Sequence, residues 1–304
     1  MASNTFFKRH KGRGSYDLFS NYAHYLPDVG GMFLLFVLFL LGALLGNIIV
    51  LALGFVSAEF AALYGTVISY PVMFIPPLLY ASAQSRRNEY FDKGYALDSS
   101  NFGRLGGLKT GLMVSVATIA MAFMTDSLTK VMPEAPQWFE AAMDSIMDAP
   151  VWLTLISVSV FAPLFEEWLC RGLVLRGLLQ KKSPAAAIIV SAIFFAVLHM
   201  NPWQAVPAFI LGLLFGYVYY KTGSLKLTML MHCVNNTFAV IFSKIPAFAE
   251  ADSFMDVMRP WAYICIFAAC AAFTWGAIVT LRAIPLKSED ARSNCDEVDA
   301  LTIL

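Results

Sequence analysis

Long apolar runs separated by short polar segments dominate this chain of 304 residues. Apolar residues make up 59% of it and charged residues only 14%, whereas about a quarter of the residues in soluble proteins are charged. A bilayer core about 30 Å thick is crossed by about 20 helical residues. Eight runs reach or approach that length: 31–57, 66–83, 107–125, 151–175, 184–200, 203–220, 227–243 and 261–283. The sequence therefore predicts an all-α integral membrane protein, a polytopic bundle of about eight transmembrane helices.

Two of these runs are less regular than the rest. Residues 66–83 contain Pro71, Pro76 and Pro77, which predict a break because proline removes a backbone donor and crowds the preceding turn. The run 107–125 is short. No gap between runs is long enough for a soluble domain. The chain divides into an amino-terminal segment (1–30), a transmembrane bundle (31–283) with its candidate site in 150–245, and a polar tail (284–304) expected to be disordered.

Basic residues alternate from one side of the predicted bundle to the other. They occupy the amino end, the second, fourth and sixth loops and the tail, while acidic residues dominate the intervening loops. Arg176, Lys181 and Lys182 are assigned to the fourth loop. Because cytoplasmic loops carry the excess of Lys and Arg, we expect both termini in the cytoplasm. With no organelle address in the sequence, a bacterial plasma membrane is the expected location.

Several functional classes receive no support from composition. The net charge is zero, so nothing favours nucleic acid as a partner. The cysteines show no C-x-x-C spacing, which argues against a disulfide framework or a zinc ribbon, and we interpret them as packing residues. They are Cys170, Cys233, Cys265, Cys270 and Cys295. Residues 135–143, in an outer loop, are typical of a short interfacial helix that serves as an amphipathic connector.

Ionisable side chains inside membrane spans are costly and therefore mark candidate functional sites. The fourth run holds two adjacent carboxylates, Glu166 and Glu167, followed by Arg171. Residues four apart share a helix face, so Glu167 is expected to pair with Arg171. That pair has an alternative interpretation as a buried structural brace. Glu166 has no basic partner within a turn and is the candidate general base or acid.

Two histidines complete the candidate site. His199 ends the fifth run, with Phe195 on the same face, and His232 opens the seventh run four residues before Asn236. His232 and Asn236 are both donors that can hold an oxyanion, although an asparagine in a membrane helix also serves as a helix-to-helix hydrogen bond. Asn235, three residues after His232, is also within reach of the same point by spacing. The sequence contains no H-E-x-x-H, no G-x-S-x-G and no pair of aspartates within a span.

Taken in order, Glu-Glu-x-x-x-Arg at 166–171, Phe-x-x-x-His at 195–199 and His-x-x-x-Asn at 232–236 resemble the CAAX protease and bacteriocin-processing family of intramembrane glutamate endopeptidases. This family includes the type II CAAX prenyl endopeptidases, and the resemblance covers residues 150–245. It implies that Glu166 and His199 activate a water, that His232 and Asn236 stabilise the oxyanion, and that Glu167 and Arg171 orient the site. Phe195 is expected to pack beside it.

The resemblance leaves the substrate open among membrane-associated peptides, prenylated or not. A non-catalytic immunity or regulatory protein is the main alternative, and a proton-coupled transporter a weaker one. No cofactor is expected, although Glu166, His199 and His232 form a conceivable zinc set.

One geometric difficulty accompanies the predicted site. At 1.5 Å per residue, the assigned spans place His199 and His232 at different depths, too far apart for one site. The conflict disappears if the span boundaries differ or if the loop at Asn201 is buried inside the bundle.

Overall fold

The computed structural model of the chain describes residues 19–90, 94–249, 251 and 253–286. The predicted basic cluster at the amino end, Cys295 and all of the tail beyond residue 286 lie outside the described residues. The described part is helical and contains no strand.

The main helices follow the predicted runs closely. They are α1 (Val29–Val56), α2 (Ala58–Asn88), α3 (Gly106–Asp126), α4 (Gln137–Met147), α5 (Val151–Leu179), α6 (Pro184–Leu198), α7 (Pro202–Thr222), α8 (Leu225–Ser243) and α9 (Pro260–Arg282). Seven of them are long and apolar enough to cross a membrane by length and composition, α3 together with its flanking turns, while α4 and α6 are shorter. The prediction of a polytopic helical membrane protein is confirmed, with the 15-residue α6 as the short member of the predicted eight.

The predicted break in the second run is wrong. Helix α2 continues through Pro71, Pro76 and Pro77 over 31 residues. Neighbouring helices and local adjustments compensate the backbone groups that proline frees in a membrane helix, and α1 packs along the length of α2. The expected span of 18 residues is therefore part of a much longer helix.

Helix α5 is the central helix of the bundle. Over half of its most apolar window, 56%, is buried, against 17% for α2 and α9. Its carboxy-terminal half from Glu167 to Leu179 is entirely buried. Two stretches of α5, Leu155–Phe161 and Trp168–Leu175, have π-helical hydrogen bonding. Such widened turns are frequent at functional sites, since they redirect side chains and leave carbonyl groups available.

Arg176 does not lie in a loop, as the charge pattern suggested, but inside α5, with no exposed surface. Its guanidinium donates to the carbonyl oxygens of Tyr22, Ala23 and Tyr25 at 2.9, 3.1 and 2.7 Å, and also to that of Tyr95. Its Nε donates to the Gly172 carbonyl at 2.7 Å within the helix. A buried arginine needs such partners to offset its lost hydration. It ties the segment before α1 to the bundle.

Candidate active site

The candidate residues surround one cavity of about 510 Å³. Glu166 enters it from α5, His199 from the end of α6, and His232 and Asn236 from α8. Most of the other lining residues are apolar, contributed by α2, α4, α6 and α7. A cavity of this size with a few converging polar groups is typical of a binding or catalytic site.

The two adjacent carboxylates have different surroundings. Glu167 is fully buried, and its Oε1 accepts a hydrogen bond from Arg171 Nη1 at 2.8 Å, so the predicted pair is present. Glu166 turns toward the cavity, where its side chain is 13% exposed. Its Oε2 is buried and accepts no hydrogen bond from any described residue. Glu167 Oε2 is likewise buried and accepts no hydrogen bond from a described residue, so the two carboxylates differ in that Glu166 lines the cavity and Glu167 binds Arg171.

Arg171 connects the anchor to α7 and α6. Its Nη2 donates to the Gly212 carbonyl at 3.0 Å, and its guanidinium carbon lies 4.6 Å from the centre of the Phe195 ring and 5.5 Å from that of Phe215. Both ring contacts lie in the range of cation–π attraction, which is stronger away from water. Arg171 thereby fixes Phe195 and Glu167 relative to each other.

His232 bridges the two carboxylates. Its Nδ1 lies 3.1 Å from Glu167 Oε1, and its Nε2 lies 4.0 Å from Glu166 Oε2. With an ionised Glu167, Nδ1 carries a proton, because a carboxylate only accepts hydrogen bonds. The imidazole orientation is thus set on one side, and Nε2 is directed toward Glu166 and the cavity.

His199 has a comparable arrangement. It caps the end of α6, and its Nδ1 lies 3.0 Å from the Phe195 carbonyl oxygen. A carbonyl is an acceptor, so Nδ1 carries a proton, and in the neutral imidazole Nε2 keeps its lone pair. This is the tautomer required of a group that accepts a proton through Nε2.

The predicted separation of the two histidines does not occur. Both imidazole rings contact the same Phe195 ring edge-on, His199 at 5.2 Å and His232 at 5.4 Å between ring centres, and both histidines line one cavity. The chain turns back directly after His199, because α6 ends at Leu198 and α7 begins at Pro202. The Asn201 amide fixes this turn by donating to the His199 carbonyl at 2.8 Å. The short helix therefore brings His199 to the depth of the site.

Asn236 is held by two contacts. Its Nδ2 donates to the Val158 carbonyl at 2.7 Å, and its Oδ1 accepts from Asn235 Nδ2 at 3.0 Å. Val158 belongs to the first π-helical stretch of α5. The Asn236 amide has a second hydrogen on Nδ2, so a donor is left for a ligand in the cavity.

Residues of α2 and α4 contribute to the cavity and were not predicted as site residues. Tyr70 of α2 lines it and donates its hydroxyl hydrogen to Glu166 Oε1. Met143 and Met147 of α4, the predicted connector, also line the cavity, and Trp203 anchors the segment before α4 by donating to the Pro133 carbonyl at 2.9 Å. Tyr70 precedes Glu166 by 96 residues, and Met143 and Met147 belong to a helix that contains no motif residue, so spacing within the motifs carried no signal of them.

The conceivable zinc set does not fit the arrangement of its members. Across the described ranges, no three His, Cys, Asp or Glu side chains are grouped so that they could hold a metal ion.

Comparison with known proteins identifies the segment that carries the site. Residues 148–238 match the family model described as Type II CAAX prenyl endopeptidase Rce1-like. The family resemblance is confirmed for this segment. The Rce1-like segment begins just before α5, ends within α8 and contains Glu166, Glu167, Arg171, Phe195, His199, His232 and Asn236.

A curated relative matches part of the chain. The protein named "Putative membrane peptidase YdiL" of Bacillus subtilis is 26% identical over 107 residues, which are 35% of this chain and 43% of the relative. The match thus spans less than half of that relative. No solved structure matches the chain significantly.

Proposed function

We propose that the protein is an intramembrane endopeptidase. The observation that carries the proposal is the carboxylate of Glu166, which lines the cavity together with His199 and His232 and has its unpartnered Oε2 4.0 Å from His232 Nε2. A carboxylate oxygen without a hydrogen-bond partner inside a membrane bundle is costly, and this cost makes the residue a candidate for function. The match of residues 148–238 to the Rce1-like family model supports the same class of activity.

In the proposed reaction Glu166, together with His199, accepts a proton from a water in the cavity. The water oxygen then bonds to the scissile carbonyl carbon, and the carbonyl becomes an oxyanion. The tetrahedral intermediate collapses when the C–N bond breaks, and the proton held by the Glu166–His199 pair passes to the leaving amine. General acid–base catalysis of this kind contributes about 10²- to 10⁴-fold in rate.

His232 and Asn236 are the proposed oxyanion donors. Asn236 offers its second Nδ2 hydrogen. Because His232 Nδ1 faces Glu167, its Nε2 can donate only when the ring is an imidazolium. Glu166 and Glu167 together with Arg171 and an imidazolium at 232 give a cluster with no net charge, which lowers the cost of holding it in the membrane. Electrostatic stabilisation of this kind is usually a large part of catalysis.

The proposed substrate is a membrane-associated peptide, with a prenylated CAAX-type peptide as the first candidate. The cavity suits an apolar ligand, because apart from the polar candidate residues it is lined by side chains such as Phe39, Met73, Leu198 and Phe215. We propose a metal-free mechanism at a bacterial plasma membrane, with both termini in the cytoplasm.

The test compares purified wild type with Glu166→Gln in liposomes, using a quenched fluorescent peptide that ends in a farnesylated CAAX sequence. We expect the wild type to cleave it and the variant to lose at least about 100-fold in kcat/KM. Glu59→Gln, an exposed position at the start of α2, is the matched control and should retain full activity.

Comparative mass spectrometry of membrane peptides covers other substrates. Cells that carry the wild type should release fragments that are missing from cells that carry Glu166→Gln. A folded Glu166→Gln protein with unchanged fragments and full biological activity would instead establish the non-catalytic immunity or regulatory role.

A further inference from the structure

Tyr70 is a candidate for a role in the reaction although it lies outside the Rce1-like segment. It belongs to α2, 96 residues before Glu166 in the chain, and its hydroxyl donates to Glu166 Oε1. It lines the same cavity as Glu166, His199 and His232. Among the described residues, Tyr70 is the one hydrogen-bond donor to the Glu166 carboxylate, because Oε2 accepts no hydrogen bond.

Packing fixes the position of the Tyr70 ring. Its centre lies 5.9 Å from that of Phe74, which is 1% exposed and one turn further along α2. Phe74 in turn stacks on Phe165 at 5.1 Å with an interplanar angle of 15°. Phe165 immediately precedes Glu166, so this aromatic column runs from α2 to the residue next to the carboxylate. The hydroxyl therefore reaches Glu166 from a ring that is already held in place.

The contact determines which oxygen of Glu166 is available. A hydrogen bond to Oε1 restrains a side chain that otherwise has three rotatable torsions, and a bond with an ionised acceptor is among the stronger ones. With Oε1 engaged, Oε2 is the oxygen without a hydrogen-bond partner, and it lies toward His232 Nε2.

We propose that Tyr70 is a positioning residue that holds Glu166 Oε1 and thereby fixes the orientation of Oε2, the oxygen that acts as the base in the proposed reaction. This inference rests on the proposed peptidase function. It assigns to α2 a part of the active site, in addition to α5, α6 and α8.

The first test is the kinetics of Tyr70→Phe, which keeps the ring and removes only the hydroxyl. Loss of a hydrogen bond to a charged group should lower kcat about 10- to 100-fold, with KM for the farnesylated peptide unchanged. Tyr64→Phe on the same helix is the matched control, because Tyr64 lies outside the cavity lining and its ring contacts that of Phe60. It should behave as wild type.

The second test does not need turnover. Infrared spectra of protein labelled with ¹³C-glutamate contain a Glu166 carboxyl band, which is identified by its loss in Glu166→Gln. We expect that band to move in Tyr70→Phe and to stay in place in Tyr64→Phe, whereas a merely structural role of the ring would leave it unmoved.

The outcomes separate the two proposals. An inactive Glu166→Gln combined with wild-type kcat in Tyr70→Phe overturns the positioning role alone. An unmoved band overturns it even if kcat falls. A fully active Glu166→Gln overturns the peptidase mechanism, whatever the spectrum of Tyr70→Phe.

Discussion

At the scale of single residues, Glu166 and Glu167 show how two adjacent, chemically equivalent side chains acquire different surroundings. Helix geometry turns neighbours about 100° apart, so one carboxylate meets Arg171 and the other faces the cavity. The i,i+4 spacing was sufficient to predict the Glu167–Arg171 pair. It could not predict that His232 shares the same Glu167 oxygen, because that contact joins two helices across 65 residues.

Removing Arg171 should destabilise the protein strongly. In Arg171→Met the Glu167 carboxylate loses its buried cation, and we expect a loss of about 3 to 5 kcal/mol in the free energy of unfolding. Denaturation of the purified protein by sodium dodecyl sulfate, followed by circular dichroism, measures the change.

The double variant Arg171→Met/Glu167→Gln is the control for this prediction. It removes both charges, so it should recover a part of the lost stability. A double variant that is less stable than Arg171→Met would contradict the assignment of Glu167 as the partner whose charge is left uncompensated.

At the scale of helices, the boundaries were largely predictable and the pairings were not. Apolar length placed the ends of α1, α7, α8 and α9 within a few residues, because each must match the bilayer. The continuous α2 was missed, since the effect of its prolines depends on the neighbour α1. Close approach of these two helices is visible at Gly42, where a Cβ would lie 2.7 Å from the carbonyl carbon of Met73.

Gly42→Ala should therefore force α1 away from α2. Backbone atoms cannot yield as a flexible side chain does, and we expect a loss of about 1 to 3 kcal/mol in stability. Because α2 carries Tyr70, kcat should fall as well. Thermal unfolding in detergent and the peptide assay measure the two effects.

Gly54→Ala on the same helix is the control for this substitution. Its Cβ would lie 3.9 Å from that of Ala61, an ordinary contact, so it should unfold at the wild-type temperature. Equal effects of the two substitutions would show that helix approach at Met73 is not the cause.

At the scale of the whole molecule, the apolar composition was sufficient to predict a bundle of membrane helices. That the candidate residues converge on one cavity became visible only in the structure. The motifs identified Glu166, His199, His232 and Asn236 one by one. Their common cavity depends on α6 ending at Leu198 and on the turn at Asn201, neither of which apolar length can reveal. The predicted difference in depth between His199 and His232 came from the assumption that every predicted run crosses the full bilayer.

Orientation in the membrane is a further prediction at this scale. The loop before α6 should be cytoplasmic and the loop after α3 external, because of the distribution of Lys and Arg. A membrane-impermeant maleimide should label Lys182→Cys only in inside-out vesicles and Val131→Cys only in intact spheroplasts. Both positions are exposed, and peptide mass spectrometry distinguishes them from the native cysteines. Labelling of both from the same side would contradict α5 as a single crossing.

The hydrogen bonds of Arg176 also impose an order on biosynthesis. The carbonyl groups of Tyr22, Ala23 and Tyr25 precede Arg176 by 154, 153 and 151 residues, so the ribosome has completed the first three spans before their donor exists. Docking of the segment before α1 therefore has to follow synthesis of α5. This segment is the first of the described residues to be synthesised, and it can form these hydrogen bonds only when the helix that carries Glu166 has been made.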